Sequence, residues 1–193
     1  MGHDLLKGKV VVIVGSTKGI GLGIARKCVE EGALVVASGY EKELVQEIDK
    51  ELQPSGGMCK YVNVLEKESL DELMKAAYEK YGRINFLVAN AGITDVCVID
   101  DLDEERFTNM ININLKGEFL AIKAALPYLR KNDLDGEIRA KIVCTGSDCS
   151  LSGWQYLTSY SAAKFGVRGM VQALARELGR ERITVNCVCP GII

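Results

Sequence analysis

A β-branched run closed by glycines restricts the fold of this chain more than any other feature. Lys9 to Val14 reads as a strand, Gly15-Ser16-Thr17-Lys18-Gly19-Ile20-Gly21 as a turn, and Leu22 to Glu31 as a helix by its apolar spacing. Strand, glycine turn and helix in that order open a parallel α/β unit whose turn can seat a pyrophosphate. Each glycine has a physical task. Gly15 permits the tight turn, Gly19 lets backbone approach a phosphate, and Gly21 lets the helix lie against the strand. The helix N-terminus adds amide groups and positive potential. The spacing is G-x-x-x-G-x-G rather than G-x-G-x-x-G.

The same alternation continues to the end. Strands are expected at Ala33 to Ala37, Met58 to Val62, Ile84 to Ala89, Ala140 to Thr145 and Ile183 to Cys189. Helices are expected at Glu41 to Leu52, Lys67 to Tyr81 with Gly82 as its stop, and Ser159 to Leu178. Asp103 to Leu129 reads as one long helix or two abutting ones. Six strands alternating with helices predict an α/β fold, a doubly wound parallel sheet in three α/β/α layers. With 193 residues, 48% of them hydrophobic, the chain can bury one sizeable core, so residues 1–193 are read as a single domain.

Charge narrows the partners. The net charge is -2, from 24 basic and 26 acidic residues, without a long like-charge block, which argues against a nucleic-acid or polybasic membrane surface. A small-molecule partner is expected. No apolar run reaches membrane-spanning length and no signal peptide precedes the first strand, so a cytoplasmic location is expected. The seven cysteines are scattered through apolar runs without a C-x-x-C, and His3 is the sole histidine. They read as reduced core thiols, with no metal site.

Tyr160 and Lys164 stand one turn apart on one helix face. An ammonium fixed beside a phenol favours the phenolate, which makes Tyr160 a plausible general acid near neutral pH. Ser147 ends the apolar run Ile142-Val143-Cys144, at the carboxyl end of a strand, where open α/β sheets bind ligands. Alone, the pair also suits a solvated lysine beside a half-buried tyrosine.

Six motifs in order resemble the short-chain dehydrogenase/reductase family over the whole chain. They are Gly15-x-x-x-Gly19-Ile20-Gly21, Asn90-Ala91-Gly92, Asn114 in Asn-Leu-Lys-Gly, Ser147 thirteen positions before Tyr160, Tyr160-x-x-x-Lys164, and Pro190-Gly191. The resemblance implies a Rossmann fold and hydride transfer between a nicotinamide and a carbonyl or secondary alcohol. Tyr160 would exchange the proton, Lys164 would hold the nicotinamide ribose and tune Tyr160, Ser147 would bond the substrate oxygen, and Asn114 would hold a relay water. Asn90, Ala91 and Gly92 would line the cofactor trough. Asn63 would lie beside the adenine, and Val64, Pro190, Gly191 and Ile193 would also bind the cofactor.

Cofactor choice follows from the same resemblance. NAD-preferring members carry an acid at the end of the second strand, where this chain has Ser38-Gly39-Tyr40. Lys18 stands where NADP-preferring members carry a base, so NADP(H) is favoured over NAD(H). Tyr40 replaces a common arginine, and Asn63 a common aspartate. Val96, Trp154 and Tyr156 are expected to line a partly apolar substrate pocket for a 3-oxoacyl chain, a steroid or a cyclic ketone, or else to pack the core. The helices around Asp103 to Leu129 and Ser159 to Leu178 resemble those through which members pair, implying a homodimer or homotetramer. Family members continue past Pro-Gly-x-Ile into a substrate-covering segment and a seventh strand, so a fragment or a truncated form is expected. The second reading is a truncated, catalytically idle nucleotide-binding or assembly subunit.

Overall fold

The computed structural model describes residues 4–192. Six parallel strands form one sheet: β1 (Val10–Val14), β2 (Leu34–Gly39), β3 (Met58–Tyr61), β4 (Phe86–Ala89), β5 (Ala140–Thr145) and β6 (Ile183–Val188). Their order is β3-β2-β1-β4-β5-β6. The winding reverses between β1 and β4, where Val12 pairs with Val36 on one side and Leu87 on the other. The connections leave β1 and β4 in opposite directions, so a crevice opens at their carboxyl ends.

β1 is buried at all five positions, as expected of a strand covered on both faces. Val10, Val12 and Val14 pack in the cluster that includes α3 (Lys67–Tyr81), α5 (Gly117–Leu129) and α6 (Thr158–Leu178). Val11 and Ile13 pack with α1 (Gly19–Glu30) and α2 (Lys42–Leu52). The alternation of side chains along one strand thus feeds two cores, and the three layers follow.

Two boundaries differ from the sequence reading in ways that matter for the site. α1 begins at Gly19 rather than Leu22, so the last glycines of the turn already belong to the helix. The Asp103–Leu129 stretch is neither one regular helix nor two separate ones. α4 (Glu104–Ile111), N-capped by the Asp103 carboxylate, which accepts from Arg106 N at 2.8 Å, runs into a widened π-type turn at Asn112–Lys116 and on into α5. The cause sits at Asn114. Its side-chain Nδ2 donates to the carbonyl of Met110, four residues back, at 3.1 Å. That carbonyl is the one an α-helix would offer to the backbone N–H of Asn114. Such widened turns occur frequently at functional sites.

Candidate active site

A cavity of about 720 Å3 occupies the crevice. One end is built by the glycine turn. Gly15 has φ 80°, and a Cβ there would lie 2.5 Å from the Cα of Ala91. At Gly21 a Cβ would lie 2.1 Å from the Gly15 carbonyl oxygen and 2.6 Å from Asn90 Nδ2. Glycine is therefore required for α1 to start this close to β1 and β4. Thr17, Lys18, Gly19 and Ile20 line the cavity, and the N-cap Lys18 gives α1 no side-chain hydrogen bond. The first amides of α1 and its positive end are thus left for a ligand at the wall.

The structure sorts the turn residues. Ser16 does not line the cavity: its hydroxyl donates to Ile13 O at 2.9 Å and accepts from Ser38 N at 3.0 Å, which ties the turn to the end of β2. Gly21 likewise serves close packing rather than the wall. Ser38, Gly39 and Tyr40 line the adjoining wall, with Tyr40 exposed and its ring 5.6 Å from that of Tyr61. Asn63 and Val64 lie on the same wall. The Asn63 side chain is engaged locally, donating to Glu66 Oε1 and accepting from Leu65 N.

Asn90 fastens three strand ends, donating to Gly15 O at 2.6 Å and accepting from Thr145 Oγ1 at 3.0 Å. Ala91 and Gly92 follow it along the wall. Asn114 is wholly buried, and its Oδ1 accepts from Ile93 N at 3.2 Å. One side chain therefore holds the 92–93 backbone against the widened turn.

At the other end Tyr160 and Lys164 face the cavity from α6, with Gly146, Pro190 and Gly191 beside them. Lys164 is 3% exposed, and its Nζ lies 5.9 Å from the centre of the Tyr160 ring. The ammonium donates to Thr145 O at 2.6 Å and to Glu118 Oε1 at 3.2 Å. Burial pushes the Glu118 carboxyl up to about 7, against the opposing pull of the Lys164 ammonium. Ser147, next to Gly146, is buried just behind the wall. It donates to Asp148 Oδ1 at 2.8 Å and accepts from Cys149 N at 3.2 Å. The serine hydroxyl bond holds the Asp148 carboxyl below its ordinary range.

Val96, Trp154 and Tyr156 are exposed and do not line this cavity. They lie on two segments joined by a hydrogen bond from Cys97 N to Tyr156 O at 2.9 Å. Tyr156 adopts φ 67°, the left-handed region that a bulky residue rarely enters. Ile193 lies outside the described residues. Among the described residues no three His, Cys, Asp or Glu side chains form a metal-holding group, and no helix is long and apolar enough to cross a membrane.

Three acids escaped the sequence reading. Glu118 lies four residues after Asn114, a lone acid in an otherwise apolar helix start, which was the signal available. Asp148 adjoins Ser147. Glu41 follows Tyr40, and its carboxylate lies 2.5 Å from Lys18 Nζ at the rim.

An elongated crevice at the switch point of a parallel sheet, entered over an uncapped helix and ending on a tyrosine with a buried lysine, defines a dinucleotide-dependent oxidoreductase. The glycine cradle and the amides of α1 fit a pyrophosphate. The family model described as short chain dehydrogenase matches residues 9–193. The chain is 37% identical over 190 residues to the 3-oxoacyl-[acyl-carrier-protein] reductase FabG of Thermotoga maritima, covering 97% of this chain and 75% of that one. It is 33% identical to a 3alpha-hydroxysteroid dehydrogenase of Mediterraneibacter gnavus, with the same coverage. The crystal structure of a short chain dehydrogenase from Mycobacterium smegmatis superposes with a TM-score of 0.91 at 33% identity, covering 100% of this chain and 79% of that one. The chain belongs to the short-chain dehydrogenase family, and is a nicotinamide-dependent oxidoreductase of carbonyl and alcohol groups.

Proposed function

We propose that the chain is an NADP(H)-dependent reductase of ketones of the 3-oxoacyl or cyclic type, working reversibly, with Tyr160 as proton donor. The observation that carries this reading is the buried Lys164 ammonium 5.9 Å from the Tyr160 ring at the closed end of the crevice. When bound, the nicotinamide supplies a hydride to the carbonyl carbon. Tyr160 gives its phenolic proton to the carbonyl oxygen, so a ketone becomes a secondary alcohol, and in oxidation the phenolate takes that proton back. Lys164 favours the phenolate and holds the ribose. Ser147 bonds the substrate oxygen once its hydroxyl turns from Asp148 toward the cavity, and Asn114 supports proton relay from Lys164.

The relatives' names supply the substrate classes, 3-oxoacyl and steroid. Val96, Trp154 and Tyr156 supply an apolar rim on which such chains can lie. The NADP preference rests on Lys18 and on the absence of an acid from Ser38 to Tyr40. Glu41 competes for Lys18, so Lys18→Ala should remove the preference for NADPH over NADH in calorimetric titration, and Glu41→Gln should sharpen it. Equal affinities in the parent would refute the preference. Phe107, Phe119 and Phe165, exposed on α4, α5 and α6, support pairing of two chains across these helices. A clean monomer in sedimentation at micromolar concentration would refute it.

The decisive test is Tyr160→Phe with ethyl acetoacetate as the 3-oxo probe and cyclohexanone as the cyclic one. General acid groups contribute about a hundredfold to ten-thousandfold, so single-turnover hydride transfer should fall by at least that lower bound while NADPH still binds. A rate within a few-fold of the parent would place the chemistry elsewhere.

A further inference from the structure

Glu118 opens α5 as its only acid and is 2% exposed. Its Oε1 meets Lys164 Nζ at 3.2 Å, and its Oε2, fully buried, has no hydrogen-bond partner of normal geometry. The ammonium is thus bounded on two sides. Tyr160 and the cavity lie ahead of it, and a buried carboxylate that also faces the Cys144 thiol lies behind. A buried ion pair costs desolvation that its attraction scarcely repays, and stability alone would be served better by an apolar residue at this point in an apolar helix.

We propose that Glu118 is a positioning residue, which holds the Lys164 ammonium from behind and sets how strongly that charge acts on Tyr160. Lys164 is held by the Thr145 carbonyl as well as by Glu118, so a change of charge at Glu118 alters the field at Tyr160 while one anchor of the lysine stays in place. With Glu118 ionised, the pair is neutral and the phenolate gains little from the ammonium. With Glu118 protonated, the ammonium acts undamped. Three groups face the carboxylate: Lys164 from α6, the Cys144 thiol from β5 and, farther off, the Cys187 thiol from β6. Burial raises both thiols, Cys187 to about 11, so neither carries charge near neutral pH. The carboxyl, raised to about 7, is the group in this pocket that changes charge across the physiological range.

This inference rests on the reading of Tyr160 as the reacting phenol, and its first test is read without substrate or cofactor. A carbon-13 label in the glutamate carboxyls follows Glu118 by NMR, assigned by loss of signal in Glu118→Gln. One glutamate should titrate near pH 7, far above the ordinary value of about 4.3, and its midpoint should rise further in Lys164→Met. The second test is the pH profile of single-turnover hydride transfer, which should inflect near pH 7 in the parent and lose that inflection in Glu118→Gln, where the charge behind the lysine no longer changes. If Glu118→Gln does not fold, Glu118→Leu fills the space without a polar atom. A Glu118 midpoint in the ordinary range, or a Glu118→Gln profile that overlays the parent, would overturn the proposal. Should Tyr160→Phe retain hydride transfer while Glu118 titrates near pH 7, the proton-donor reading fails and the pairing of Glu118 with Lys164 stands.

Discussion

Two glycines two residues apart on α1 should respond to the same substitution with opposite signs. A Cβ at Gly21 would stand 2.1 Å from Gly15 O, 2.6 Å from Asn90 Nδ2 and 2.9 Å from Ser16 Cα. Two of these atoms are backbone, and the third belongs to the bond that holds Asn90 to the turn at 2.6 Å. Overpacking typically costs about 1–3 kcal/mol, and the upper end applies where backbone must move. Loss of the Asn90 bond adds about 1 kcal/mol, while alanine returns about 1 kcal/mol through helix propensity. The net loss for Gly21→Ala is about 3 kcal/mol, which for a chain of this length lowers the melting temperature by roughly 6–12 °C. At Gly23 nothing lies within 4 Å of the added Cβ and only propensity remains. Gly23→Ala should gain about 0.5–1 kcal/mol, a rise of roughly 1–4 °C. Calorimetric melting of both variants, with cofactor titration beside it, is the assay. Gly21→Ala should also bind cofactor more weakly, since the displaced atoms form the cradle. Equal melting temperatures for the two variants would refute the claim that close approach dictates glycine here.

Asn114→Ala removes the acceptor of the part-buried Ile93 N–H and the donor to Met110 O. Denaturant titration should show a loss of about 1–3 kcal/mol. Stability should depend on pH through Glu118. Its folded carboxyl is raised from 4.5 to about 7, so the native state holds a proton that the unfolded state has released, and the contribution is present below pH 4.5 and lost as pH rises through 7. The stability of Glu118→Gln relative to the parent should therefore increase over that window, by at most roughly 3 kcal/mol. A constant difference from pH 4 to pH 8 in denaturant titrations would contradict this.

Much of the fold was readable because each strand announces itself twice. Val10 to Val14 is continuously apolar because two cores need it, and the glycines after it mark where backbone approaches backbone. The pairing of Tyr160 with Lys164 was visible as helix spacing, and Ser147 as a strand end. Less was readable where a side chain competes with the backbone. The widened turn at Asn112–Lys116 depends on the Asn114 amide reaching a carbonyl of its own helix, which no periodicity of apolar residues reports. The aromatic and apolar residues at 96, 154 and 156 were open to two readings, pocket lining or core packing. Their exposure, with no place in the lining of this cavity, depends on how two loops meet through Cys97 and Tyr156, and loop pairing has no local signature.

The widened turn also explains why Glu118 is where it is. From Met110 the inward positions run to Asn114, Glu118, Ala121 and Ile122, Ala125 and Leu129, all buried. The first two steps are four residues long, and the later ones return to the ordinary period of about 3.6. The extra residue absorbed by the π-type turn keeps 110, 114 and 118 in one line, so the Asn114 amide and the carboxylate that meets Lys164 share the inward face. Without it the inward line would drift toward Gly117, and the side chain at 118 would turn away from α6. The geometry behind Lys164 is therefore a consequence of one asparagine taking a carbonyl from its own helix. Local backbone chemistry at Asn114 and the electrostatics of the site are a single structural fact.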